Sequence, residues 1–307
     1  MISCQTLGHR GRLGNQLFQY AFLRTAARRL GVKFYCPPWK GDQLFCLGDE
    51  AERADEPEGI VRALVEHREI RCQSCPALHD GTDYQGYFQS PDLFDRDDVR
   101  RWYTLRPETS APLLAKHSHI DFTAAIGVHV RLGDYVSHPV HTMRHYVPPA
   151  SYYAAALGRL PRDCQVVLAS DQPELARHRL RKVIRKNRLV LLRNKGPHDL
   201  YLLSRCRHLV MSPSTFSWWA GWLRPAENQG TVIAPREGLF RAAARLPLEP
   251  EVMWHQPHWT TLPAMARFDW NYWRTRWYFQ LLALRHQARQ WCEKHLGWLP
   301  GMSASQA

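Results

Sequence analysis

Ala125-Ile126-Gly127-Val128-His129-Val130-Arg131-Leu132-Gly133-Asp134-Tyr135 is an apolar run that ends abruptly in a polar, charged turn. The run has the length of a buried strand, and Gly133 lets the backbone bend closely where the charges begin. Further β-like runs follow at residues 165–169, 189–192, 208–211 and 231–234. Helical patterns fall between them, at 150–160, 173–186, 198–206 and 215–223. Strands alternating with crossover helices predict a parallel, doubly wound α/β sheet with helices on both faces. In such sheets a ligand sits beyond the carboxyl ends of the strands, so the chemistry is sought there.

Upstream, Gly8-His9-Arg10-Gly11-Arg12-Leu13-Gly14-Asn15-Gln16 marks a tight loop. The apolar run after it has helical character up to Gly31, a helix stop. Val32 to Cys36 reads as a strand closed by Pro37-Pro38, so the chain opens as loop, helix, strand. Residues 37–85 read as a loop- and helix-rich insert, Gly86-Tyr87-Phe88-Gln89-Ser90 as a short strand, and 91–101 as an acid-rich helix start. A chain of 307 residues, 45% hydrophobic, suits two domains of ordinary size. The expected division is an N-terminal α/β domain over 1–124, a Rossmann-like domain over 125–247 and a Trp-rich tail over 248–307. The tail is expected to run as one helix from about Asp269 to Leu296. Along it Trp270, Trp273, Trp277, Leu281, Leu284, Ala288 and Trp291 recur at helical spacing. That stripe suits either packing on the domain or an interfacial helix on an anionic membrane.

No stretch approaches the roughly 20 apolar residues needed to cross a bilayer, and residues 1–14 lack a signal-peptide core. The expectation is a cytoplasmic protein, held at most peripherally on the inner face of the plasma membrane. Eight cysteines are scattered through the chain, and the Cys72/Cys75 pair has no second pair to complete a zinc site. The net charge of +13 calls for an anionic partner: nucleic acid, anionic lipid or a phosphorylated substrate. Nine Lys or Arg and no acid fall between Arg177 and Lys195. Aromatic residues for base stacking are missing there, which argues against nucleic acid.

Three strand ends carry the candidate chemistry. His129 to Tyr135 is either a solvated turn or a ligand loop. Ser170-Asp171 either caps the next helix or offers a carboxylate to the amide and amino edge of guanine. Ser212-Pro213-Ser214-Thr215-Phe216-Ser217 is either an ordinary helix cap or an anion site suited to a diphosphate. Two other patterns are set aside. Asp95-Arg96-Asp97 contains the spacing of a metal-nucleotide site, but it stands at a helix start where acids are favoured. Gly11 to Gly14 is neither a dinucleotide fingerprint nor a P-loop.

Gly11-Arg12-Leu13-Gly14-Asn15-Gln16-Leu17-Phe18-Gln19-Tyr20-Ala21 resembles the amino-terminal motif of glycosyltransferase family 11, the α-1,2-fucosyltransferases. Gly86 to Ser90 resembles that family's mid-domain strand. His129 to Tyr135 is similar to the His-x-Arg-Arg-x-Asp motif shared with α-1,6- and protein O-fucosyltransferases. Asp199-Leu200-Tyr201 through Ser214-Thr215-Phe216-Ser217-Trp218-Trp219 resembles the final family block. The resemblance implies a GT-B-type fold, two facing Rossmann-like α/β domains with the nucleotide sugar in the second and the acceptor on the first. It implies GDP-β-L-fucose as donor, no metal or other cofactor, and inversion to an α-fucoside. The acceptor implied is a galactose-terminated glycan, lipid-linked in some settings, as in cell-surface polysaccharide synthesis. The rival readings are α-1,6 or protein O-fucosyl transfer, or a non-catalytic basic protein that binds nucleic acid or a membrane surface.

By the same resemblance, His129 and Asp171 lie at the guanine end. Arg131 faces the diphosphate with Ser214, Thr215 and Phe216 around it, and Asn15 approaches from the other domain. Arg131 and Asp134 are the catalytic candidates, with the general base unassigned. The sequence departs in two places, Leu132 where a second arginine is usual and Pro213 in place of a common asparagine. Neighbouring residues leaving a strand point to opposite sides. Leu132 should therefore sit in an apolar pocket, with the phosphate charge met by Arg10, by the start of the helix at Ser214 and foremost by Arg12.

Overall fold

The computed structural model describes residues 1–56, 64–66, 77–225, 227–239 and 255–264, with Arg274 and Trp277. The expected tail helix and the Cys72/Cys75 pair lie outside the described residues, except that Arg274 and Trp277 are helical and exposed.

The first half builds a four-stranded sheet from β1 (Ile2–Ser3), β2 (Phe34–Tyr35), β3 (Leu64–Glu66) and β4 (Asp83–Gln85). Every pairing is parallel, in the order β2-β1-β4-β3. Between β1 and β2 runs α1 (Leu13–Leu30), buried along most of its length. Gly31 closes it in the left-handed conformation, φ 67°, with its N–H turned back to the Ala27 and Arg28 carbonyls. Burial makes an unpaired charge there costly, so the buried arginine of this helix is fully engaged. Arg24, 1% exposed, pairs with Glu52 and donates to the Leu47 carbonyl at 2.6 Å. Among the described residues, three further α-helices complete this half, α2 (Lys40–Leu44), α3 (Arg96–Trp102) and α4 (Pro107–Lys116).

The second half builds a six-stranded sheet from β5 (Ile126–Val130), β6 (Val166–Ser170), β7 (Leu189–Leu191), β8 (His208–Val210), β9 (Val232–Pro235) and β10 (Thr260–Leu262). All pairings are parallel, in the order β10-β9-β8-β5-β6-β7. Its helices are α5 (Gly133–Ser137), α6 (Pro139–Arg144), α7 (Ala150–Leu157), α8 (Pro173–Leu180), α9 (Gly196–Arg205) and α10 (Thr215–Trp222). The strand order runs outward from β5 on both sides, as in a dinucleotide-binding sheet.

Three sequence expectations shift. The strand expected at 86–90 is β4, a few residues earlier, and 86–90 is a loop. There Phe88 adopts φ 47° and stacks on Phe22, rings 4.0 Å apart, while Gln19 takes the Gly86 carbonyl at 2.9 Å. The helix expected over 173–186 ends at Leu180. Beyond it Arg181/Arg185 and Lys182/Lys186 would set like charges one turn apart. The third is β10, in residues assigned to the tail, which extends the second sheet past residue 247.

The two sheets share one apolar core. Phe18 of α1 lies 4.7 Å, ring to ring, from both Trp218 and Trp219 of α10, and Phe94 stacks on Trp219 at 5.7 Å. Trp219 donates its indole N–H to the Gly14 carbonyl at 2.9 Å, so the buried ring leaves no unpaired donor. Two facing parallel α/β units joined in this way are the GT-B-type arrangement.

Candidate active site

Strand order reverses between β5 and β8, so the loops leaving these neighbours part and open a crevice at their carboxyl ends. A cleft of about 1860 Å³ lies there. Gly8, residues 10–16 and residues 86–89 form one wall, and residues at or after the ends of β5, β6, β7 and β8 form the other. All eight residues singled out in the sequence line it: Asn15, His129, Arg131, Asp134, Asp171, Ser214, Thr215 and Phe216.

His129 is the last polar side chain of β5. Its Nδ1 lies 2.6 Å from the Ser212 hydroxyl, and its ring centre lies 4.9 Å from that of Phe216. Burial pushes the imidazole down to about 3, and the Arg131 charge adds to the effect. The ring is therefore neutral at any working pH and offers a flat face beside a polar edge.

Arg131, Asp134 and Asp171 lock the loop after β5. Arg131 pairs with Asp171 at 2.6 Å and with Asp134, while Asp171 accepts the Leu132 backbone N–H at 2.9 Å. A Cβ on Gly133 would fall 2.2 Å from an Asp171 oxygen, so no other residue fits there without moving the carboxylate. From the opposite domain, Arg12 reaches Asp134 at 3.4 Å and Asp171 at 3.8 Å. Asp171 thus spends its oxygens on the loop, and the turn into α8 is held by Ser170, which accepts from the Gln172 N–H at 3.0 Å. Leu132 is fully buried in an apolar cluster with Val130 and Tyr146, the pocket expected from strand geometry.

Two helix starts meet at the cleft. Ser214 caps α10 by accepting the Phe216 N–H at 3.2 Å. A Cβ on Gly14, in the first turn of α1, would lie 2.6 Å from the Thr215 hydroxyl and 2.8 Å from the Phe216 nitrogen. Only glycine lets these backbones approach so closely, and the positive ends of two helix dipoles converge as a result. Asn15 is fixed beside them by Gln89, which donates to its side-chain oxygen at 2.9 Å.

Sequence reasoning gave no role to Asp199, which lines the same cleft. It sits buried in the first turn of α9, where Asn194 donates to it at 2.9 Å, and burial raises its carboxyl to about 6. Gly196, at the head of the same helix, faces the Phe216 ring. Its place in the final sequence block was the available signal. Asp95, by contrast, accepts from the Asp97 and Asp98 N–H groups as a helix cap, and Asp98 pairs with Arg28 and Arg101.

The sequence profile of glycosyl transferase family 11 matches residues 66–247. The chain is 30% identical over 117 residues to the O-antigen biosynthesis glycosyltransferase WbnK of Escherichia coli, a match spanning 36% of this chain and 37% of that one. It is 24% identical over 266 residues to an Escherichia coli alpha-1,2-colitosyltransferase, covering 73% of this chain and 89% of that one. It is 26% identical over 287 residues to galactoside alpha-(1,2)-fucosyltransferase 2 of Oryctolagus cuniculus, covering 87% and 79%. Among solved structures, NodZ alpha-1,6-fucosyltransferase co-crystallized with GDP superposes with a TM-score of 0.49 at 17% identity, over 73% of this chain and 92% of that one. The match of the family profile over more than half of the chain places it: this protein is a glycosyltransferase and belongs to glycosyl transferase family 11.

Proposed function

We propose that the protein transfers fucose from GDP-β-L-fucose to O-2 of a terminal galactose, with inversion to an α-1,2-fucoside. The observation that carries this reading is that Arg131, Arg12 and two closely approaching helix starts line one cleft at the reversal of strand order. In that reading the diphosphate lies against Thr215 and Phe216, with Asn15 and Arg12 closing from the first domain. The guanine lies towards His129, Phe216 and α9. Asp199 is then the carboxylate that accepts its amide and amino hydrogens, because Asp171 is committed to Arg131 and Leu132. As the C1–O bond breaks, charge grows on the departing β-phosphate, and arginines with fixed N–H groups meet it without a metal.

The residues 1–124 and 125–247 divide the work as acceptor side and donor side. The match to an alpha-1,2-colitosyltransferase makes colitose the main competitor as donor sugar. The test is a panel of radiolabelled GDP-sugars against galactose-terminated acceptors, run in excess EDTA. Transfer from GDP-fucose at undiminished rate, with the label released as an α-1,2-fucoside, is the expected result. Preference for another donor would redefine the substrate, and rescue of a dead EDTA reaction by manganese would overturn the metal-free mechanism.

A further inference from the structure

Inverting transfer in one displacement needs a group to take the proton of the attacking hydroxyl. Asp134 is poorly placed to do so, since Arg131 holds one oxygen and Arg12 lies 3.4 Å from the other. The remaining basic side chains on the described cleft wall are also engaged. His129 turns its Nδ1 to Ser212 inside the core. His145 stacks under Tyr135, ring centres 4.2 Å apart, with Nδ1 against the Leu239 carbonyl. Glu174 is paired with Arg177 and Arg193, and the buried Asp199 accepts from Asn194 at 2.9 Å.

His141, in α6, stands apart from these. It lines the cleft with 42% of its side chain exposed, and its Nε2 lies 3.9 Å from Asp134 Oδ2. Resting on the function proposed above, we infer that His141 is the general base, with Asp134 holding its Nε2 side so that Nδ1 receives the acceptor proton. The acceptor oxygen then bonds to C1 of the donor sugar, the C1–O bond breaks with its electron pair passing to the β-phosphate, and the proton ends on the imidazole. A separation of 3.9 Å exceeds a hydrogen bond, and the pair tightens as the ring gains charge. Asp134 thereby ties two tasks together: it orients Arg131 toward the leaving group and the imidazole toward the nucleophile.

The ring is faced by Asp134, by His138 with its centre 4.8 Å away, by His145 at 5.9 Å, and by the charges of Arg12 and Arg131. Desolvation lowers its pKa from the ordinary 6.5, so the ring is free to accept a proton at neutral pH. The test compares parent, His141→Gln and His141→Ala for GDP affinity, kcat and the pH profile of kcat/KM. Expected are unchanged GDP binding, kcat lowered 100-fold or more, loss of the acidic limb of the profile, and partial rescue of the alanine protein by added imidazole. A parent that transfers fucose, beside variants that keep the acidic limb and near-parent kcat, would overturn the assignment to His141. Failure of the parent to use GDP-fucose would instead overturn the donor reading on which it rests.

Discussion

At the scale of single residues, the cleft sorts carboxylates by what surrounds them. Asp134 and Asp171 are held by arginines, while Asp199 is buried beside an asparagine and has its pKa raised to about 6. A folded-state pKa above the free-chain value means that the stability this group contributes is full below about pH 4 and is lost as pH rises through 6. Near pH 7.5 the ionised Asp199 therefore strains the fold, by on the order of 3 kcal/mol. Asp199→Asn should melt higher than the parent at pH 7.5 and no higher near pH 4, yet bind GDP at least tenfold more weakly. Equal melting at both pH values, or intact GDP affinity, would count against its guanine role. Leu132 was legible from strand geometry alone, because alternation fixes which side a residue faces. Asp171 was not, because its partners, Arg131 and the Leu132 N–H, come from another strand end and only folding brings them together.

At the scale of elements, the five β-runs between residues 125 and 234 were legible because buried parallel strands carry near-continuous apolar residues. The strands β1, β3 and β10 were not, and β4 was expected a few residues too late. They lack the longer apolar runs that flag β5 to β9, and their existence depends on neighbours supplied by the fold. Contact between α1 and α10 is likewise invisible in sequence, and it rests on Gly14. Gly14→Ala would add a Cβ against the Phe216 backbone, which cannot rotate away. Alanine's helix propensity gains up to about 1 kcal/mol, but overpacking of about 1–3 kcal/mol outweighs it. The variant should melt lower and bind GDP more weakly, since the same clash separates the two helix starts. Parent-like melting with parent-like GDP affinity, by thermal melt and titration, would show that the close approach carries no function.

At the scale of the whole molecule, an aromatic seam of Phe18, Phe94, Trp218, Trp219 and Trp222 binds the two sheets into one body. The tryptophans read from sequence as core are core, and they also hold the walls of the cleft in register. Basic residues cluster at that cleft as Arg10, Arg12, Lys40, Arg131, Arg144 and Arg193, which gives part of the net charge of +13 a phosphorylated substrate to meet. The central claim is that a positioned arginine, with helix starts beside it, stabilises the leaving diphosphate. The measurement that tests it most directly is kcat for Arg131→Ala and Arg131→Lys with GDP-fucose and a galactoside in excess EDTA. The account predicts a loss of about a hundredfold or more for alanine, with little recovered by lysine, whose point charge lacks the planar fork that spans Asp134 and Asp171. An alanine variant that turns over near the parent rate would contradict it.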